Sequence, residues 1–174
     1  MKKAALMAFA LILSSCSTLT SMPVVDIESD QGVAILPLKN LSSTPLAGEQ
    51  VAVLAESILR SRGLDELETY EPVNATGLSA LIATSSGEES GISWARESGY
   101  DFALSGTVHE WHYKGGADRE PTVALSLQLI DVVTTRVVWQ ATSAKAGWGF
   151  SSLSTVGQNL VKGLLGNVRI THRP

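Results

Sequence analysis

The stretch PTVALSLQLIDV at residues 121–132 decides the fold class, because Val123, Leu125, Leu127 and Leu129 alternate with Ala124, Ser126 and Gln128. A period of two puts the apolar set on one face of a strand and the small or polar set on the other. Working outward, Tyr100 to Tyr113 reads as a second strand, and KGGADRE at 114–120 as the Gly-rich, charged hairpin loop that joins them. Val133-Thr134-Thr135-Arg136 then turns the chain into a third strand, 137–146, which completes an antiparallel meander.

Upstream, GVAILPL at 32–38 is a short apolar run suited to a buried strand, followed by a polar loop at 39–45. Val51, Leu54, Ala55, Ile58 and Leu59 then recur at helical spacing until Gly63 stops the helix. Leu67 to Tyr70 is a further strand, and 76–84 and 88–98 are two helices separated by Ser85-Ser86-Gly87, the second closed by Gly99. Downstream of the meander, Ser151 or Ser152 caps a helix whose Leu153, Val156, Leu160, Val161, Leu164 and Leu165 share one face, with Gly166 as its stop. The expected fold is α/β (α+β): a mixed β-sheet ending in an antiparallel meander, covered by helices.

The first residues carry an address. Lys2 and Lys3 precede an apolar run from Ala4 to Leu13, and Leu13-Ser14-Ser15-Cys16 has the form of a lipobox, an aliphatic residue and two small ones before an acceptor thiol. Ten apolar residues at about 1.5 Å each span half of a hydrocarbon core of about 30 Å, too little for a transmembrane helix. Cys16 is the sole cysteine, so no internal disulfide is available to it, and the plainer readings are a free thiol or an intermolecular bridge. The expected organisation is a signal peptide at 1–15, the lipidated Cys16 with a tether at 16–31, and one periplasmic domain at 32–174. With Ser17 after the cysteine, the resemblance to bacterial lipoproteins implies sorting to the outer membrane, since an Asp there is the usual inner-membrane retention signal.

Without residues 1–15, 159 remain, enough for one core, with 11 basic against 17 acidic side chains, a net charge of about −6. That balance disfavours a nucleic-acid partner, which selects a basic patch, and permits a cationic one.

No motif announces chemistry. His109 and His112 in HEWH lie three apart in an expected strand, hence on opposite faces, whereas the zinc-protease motif needs them four apart on a helix. Nucleophile elbows, phosphate loops and dinucleotide fingerprints are missing from the sequence. Paired carboxylates for glycoside hydrolysis meet only in a fold, so spacing does not decide them. Neither an enzyme, a cofactor nor a metal is expected. The aromatics say more. Trp94, Trp111 and Trp139 fall within elements and read as core or, for the last two, subunit contacts. Trp148 and Phe150 stand on glycine joints in Gly147-Trp148-Gly149-Phe150, where Trp148 either folds back as a lid on the sheet or faces a lipid–water interface.

VAILPLKN at 33–40, GYDFALSGTVHEWHYKGG at 99–116 and VALSLQLIDVVTTRVVWQATSAKAGWGFSSLS at 123–154, together with the lipobox, resemble the PelC family, the outer-membrane lipoproteins of Pel exopolysaccharide export. The Gly-Trp-Gly joint at 147–149 is the most specific element, and 64–98 shows no such match. The resemblance implies a fold like the N-terminal domain of TolB and the periplasmic domain of the curli secretion lipoprotein. It implies a closed homo-oligomeric ring, on the order of a dozen subunits, held under the outer membrane by its lipids and by a circle of tryptophans at the position of Trp148, with Phe150 beside it. An acidic periplasmic surface would guide a cationic exopolysaccharide to an outer-membrane porin with a tetratricopeptide scaffold, contributing to biofilm matrix formation. Asp118 and Glu120 in the hairpin loop are candidates for that surface. The alternative is a lipoprotein binding module of related fold that activates a periplasmic cell-wall synthase. Such a module needs a long tether, and the 15 residues between Cys16 and Gly32, at roughly 3.5 Å each, cross little of the periplasm.

Overall fold

The computed structural model describes residues 17–71, 78–115, 119–148 and 151–172. In chain order its elements are β1 (Ser17–Ser21), β2 (Val25–Glu28), β3 (Val33–Ile35), β4 (Lys39–Asn40), α1 (Ala47–Ser61), β5 (Leu67–Thr69), α2 (Leu78–Glu97), β6 (Phe102–Tyr113), β7 (Pro121–Asp131), β8 (Arg136–Ala146), α3 (Leu153–Leu164), a 3-10 turn (Leu165–Asn167) and β9 (Val168–Thr171). A mixed sheet runs β1-β8-β7-β6-β3-β5, with β4 beside β6. The meander pairs are antiparallel, and β3 lies parallel to both β5 and β6.

The alternating stretch behaves as its pattern dictates. Val123, Leu125, Leu127 and Leu129 are all buried on the face covered by α1 and α3, where Val51, Ala55, Leu59, Val156, Leu160 and Leu164 meet them. At about 1.5–3 kcal/mol for each large side chain removed from water, this row and its partners bind the helices to the meander. Trp111 and Trp139 lie inside the same core. The opposite face buries Ala34, Leu36, Ala103, Ile130 and Val132 under α2, where Trp94 is half-buried between Tyr70 and Tyr100, ring centroids 5.2 and 5.4 Å away.

Four readings change. The stretch taken as a tether, 17–31, is built into the domain: β1 pairs with β8 over five residues, and β2 pairs in parallel with β9, burying Ile27 completely. The domain already includes Ser17, upstream of the expected start at Gly32, because the edge of β8 pairs with STLTS, whose single large apolar side chain leaves no period to read in the sequence. β9 lies past the Gly166 stop, where the sequence pattern marks no further element. The two helices expected around Ser85-Ser86-Gly87 are the single helix α2, which passes through those weak helix formers without a break.

The fourth change concerns His109 and His112. A β-bulge between Val108 and Glu110 inserts one extra residue in β6, so Val108 and Trp111, three apart, both point into the core. The histidines therefore share the outer face: His109 Nε2 lies 2.8 Å from Ser126 Oγ, and His112 sits opposite Thr122 on the same alternating row of β7. Ser126 Oγ continues to Thr142 Oγ1 at 2.9 Å. Among the described residues no group of three or more His, Cys, Asp or Glu is placed to hold a metal ion.

Candidate functional site

Three chain segments converge at one end of the sheet: the start of β1, the β6–β7 hairpin and the connection from β8 into α3. Ser17 is in register with Lys145, Thr122 with Ala146, and the Gly147 N–H donates to the Pro121 carbonyl at 2.8 Å. Strands lie about 4.8 Å apart and a residue advances about 3.4 Å, so Ser17, the neighbour of Cys16 in sequence, stands roughly 10–15 Å from Trp148.

Gly147 is no loose joint. A Cβ there would meet Pro121 Cγ and Val156 Cγ2 at 2.7 Å and Ser151 Cβ at 2.9 Å, so glycine is demanded by close packing. Beyond it, the Trp148 carbonyl accepts from the Ser151 N–H at 3.1 Å and from Ser151 Oγ at 3.0 Å. Ser152 caps α3, its Oγ accepting from the Thr155 N–H at 3.1 Å. Tyr113 Oη accepts from the Leu153 N–H at 3.0 Å, tying the hairpin to the same helix start. The backbone of Trp148 is thus fixed while its side chain is 75% exposed, which excludes the reading of a lid folded on the sheet.

Of the expected site residues, Cys16, Asp118 and Phe150 lie outside the described residues. Glu120 is half-buried at the hairpin base, its carbonyl accepting from the Lys114 N–H at 2.8 Å, and so lies at the same end as Trp148. Beside it the Arg119 guanidinium stands 5.8 Å over the ring of Tyr113. The end brings Ser17, Glu120 and Trp148 together. Tyr113 joins them unread, because a tyrosine closing a strand carries no signal of its partner across 40 residues.

The far end of the sheet is differently charged. Asp30, Asp65, Glu66, Glu97 and Asp101 are exposed there, with Arg60, Arg96 and Arg136 among them. Asp101 Oδ2 accepts from the Gly32 N–H at 2.9 Å, which closes the loop before β3. Tyr100 is pushed up to about 12, first by desolvation and then by donating its Oη proton to Glu68 at 2.5 Å. No helix among the described residues is long and apolar enough to cross a membrane.

No family model matches the sequence, and no curated protein is similar to it at a significant level. Solved structures are similar. The PelC dodecamer from Paraburkholderia phytofirmans is 29% identical over 90% of this chain and 100% of its own, with a TM-score of 0.76. A singly substituted form of that protein, also a dodecamer, gives 29% identity, the same coverage and a TM-score of 0.78. Lipoprotein GNA1162 from Neisseria meningitidis is 15% identical over 78% of this chain and 96% of its own, with a TM-score of 0.53, a likeness of fold alone. At 29% identity and with a shared fold along nearly the whole length, this chain is similar to the PelC dodecamer's subunit throughout, in line with the resemblance carried by its sequence.

Proposed function

We propose that the mature chain is a non-enzymatic outer-membrane lipoprotein, acylated at Cys16, that assembles into a closed ring beneath the bilayer and guides a cationic exopolysaccharide to an export porin with a tetratricopeptide scaffold. The observation that carries the reading is the β1–β8 register, which brings the neighbour of the lipidation site and the exposed Trp148 to one end of the domain. A tryptophan ring favours the lipid–water interface, and stable anchoring takes more than one acyl signal, so anchor and ring reinforce each other. Repetition around a ring multiplies both.

With that end against the bilayer, the acids of the far end face the periplasm. Each exposed contact to a polycation is weak and screened within about 8–10 Å, so a repeated acidic surface concentrates a passing polymer without holding it. Asp118 and Glu120, in the hairpin at the membrane-proximal end, would then act where the polymer leaves rather than where it arrives. The synthase-activator reading loses ground, because residues that would form its tether are strands of the domain.

The test is Cys16→Ser in the full-length chain, followed by fractionation and by polymer export. The variant is expected in the soluble periplasmic fraction with export lost. Membrane retention with undiminished export would overturn the proposal.

A further inference from the structure

Leu46 has little local reason to be leucine. It stands just before α1 at φ 60° and ψ 15°, the left-handed region that Gly and Asn adopt readily and a branched side chain resists; it makes no side-chain cap hydrogen bond, and it is 61% exposed. Backbone strain and exposure both favour another residue, so the apolar side chain gains its contacts outside the single protomer. Two turns on, Val53 is 66% exposed on the same helix. With Leu54 and Trp111 they floor an open groove of about 500 Å³ between the N-terminal halves of α1 and α3, rimmed by Glu49 and Gln158. A carboxylate and an amide on the rim are costly in hydrocarbon and ordinary around the apolar centre of a protein interface.

The chain carries an apolar projection of its own. Leu19, Met22 and Val24, along β1 and its link to β2, are 54%, 42% and 51% exposed. α3, packed over β7 and β8, stands between this edge and the groove, so one copy cannot cover its groove with its own edge. A closed ring of more than two copies requires two such unlike surfaces that fit each other and repeat by one rotation. Building on the ring reading above, we propose that the Leu46–Val53 groove of one copy receives the Leu19–Val24 edge of the next. The contact also covers an edge strand that is otherwise open to pairing with any chain.

The test uses two differently tagged full-length copies co-expressed in the membrane, one with Leu46→Cys and the other with Val24→Cys, oxidised in place. A disulfide between the two tags is expected, with neither variant bridging to itself. Leu46→Cys bridging only to itself, no bridge in a preparation whose native mass is oligomeric, or quenching of a label at Leu46→Cys by brominated lipid overturns this contact and leaves the ring standing. A monomeric native mass overturns the ring reading and the contact with it. Leu46→Asn, which relieves the strain while removing the apolar group, is expected to raise the protomer's Tm and weaken assembly at least tenfold; unchanged assembly overturns the proposal.

Discussion

Ser17 stands opposite Lys145 in the β1–β8 pair, three residues before Trp148. A segment that composition marks as a loose tether is thereby a strand, and Ser17, next in sequence to the proposed lipidation site Cys16, is tied to the one exposed tryptophan among the described residues. The separation of Ser17 from Trp148 is set by a sheet register and not by a flexible chain, so acylation at Cys16 would fix which end of the domain meets the bilayer.

Because the Trp148 side chain makes little contact with the domain, Trp148→Ala is expected to leave the Tm within about 2 °C, the scale of a surface change below about 0.5 kcal/mol. Export should fall in the same variant. Thermal melting beside an export assay checks both, and a large drop in Tm would show that the side chain packs after all.

Two glycines of α3 separate helix propensity from packing. Gly157 faces Trp111, and a Cβ there would lie within 2.9 Å of Trp111 Cζ2 and Cζ3, whereas nothing lies within 4 Å of a Cβ on Gly163. Gly163→Ala is expected to stabilise by up to about 1 kcal/mol. Gly157→Ala, despite the same propensity gain, should cost about 1–3 kcal/mol through overpacking. Urea unfolding of the two variants gives the signs directly.

Asp131 is held below the ordinary carboxylate value of 3.8, first by the Thr134 N–H and then by the Thr134 hydroxyl, both donating to its Oδ1 at 2.7 Å. Asp26 is lowered by its hydrogen bond from Arg169 at 2.6 Å. A carboxylate depressed in the folded state adds stability above its unfolded pKa and loses it as pH falls through the folded one. Asp131→Ala should therefore lower stability at neutral pH, with the deficit shrinking as pH drops below about 4. A deficit that stayed constant down to full protonation would contradict the assigned turn contacts. The Asp26–Arg169 pair, exposed on both sides, should respond to salt and matter little.

Placement of the acids yields a comparison. If polymer arrives at the far end, neutralising Asp65, Glu66 and Glu97 together should slow export more at low ionic strength than at high, since salt already screens the attraction those acids supply. Asp118→Asn with Glu120→Gln probes the membrane-proximal hairpin. Intact export in that pair would remove both residues from the polymer path.

Much of the frame was legible because its elements are periodic and mutually adjacent in sequence. β6, β7 and β8 alternate, and α1 and α3 carry apolar stripes, so the meander and two of its covering helices follow from local pattern. What was not legible depends on distant partners. β2 pairs with β9, Asp26 facing Arg169 across 143 residues, and neither four-residue strand is long enough to show a period. The bulge between Val108 and Glu110 brings His112 onto the same face as His109 with no residue in the sequence to mark it. The glycine flanks of Trp148 point to an exposed side chain, which it is, but its closeness to Ser17 is not legible in the sequence, because that rests on β1.

The most direct measurement is quenching of tryptophan fluorescence by brominated phospholipids, comparing the acylated full-length chain with its Trp148→Phe variant in bilayers. Trp111 and Trp139 are buried in the core, and Trp94, near the end of α2, packs between Tyr70 and Tyr100 away from the proposed membrane end. The account predicts that most of the quenching disappears with Trp148. Equal quenching in the two proteins would contradict the assignment of this end to the bilayer.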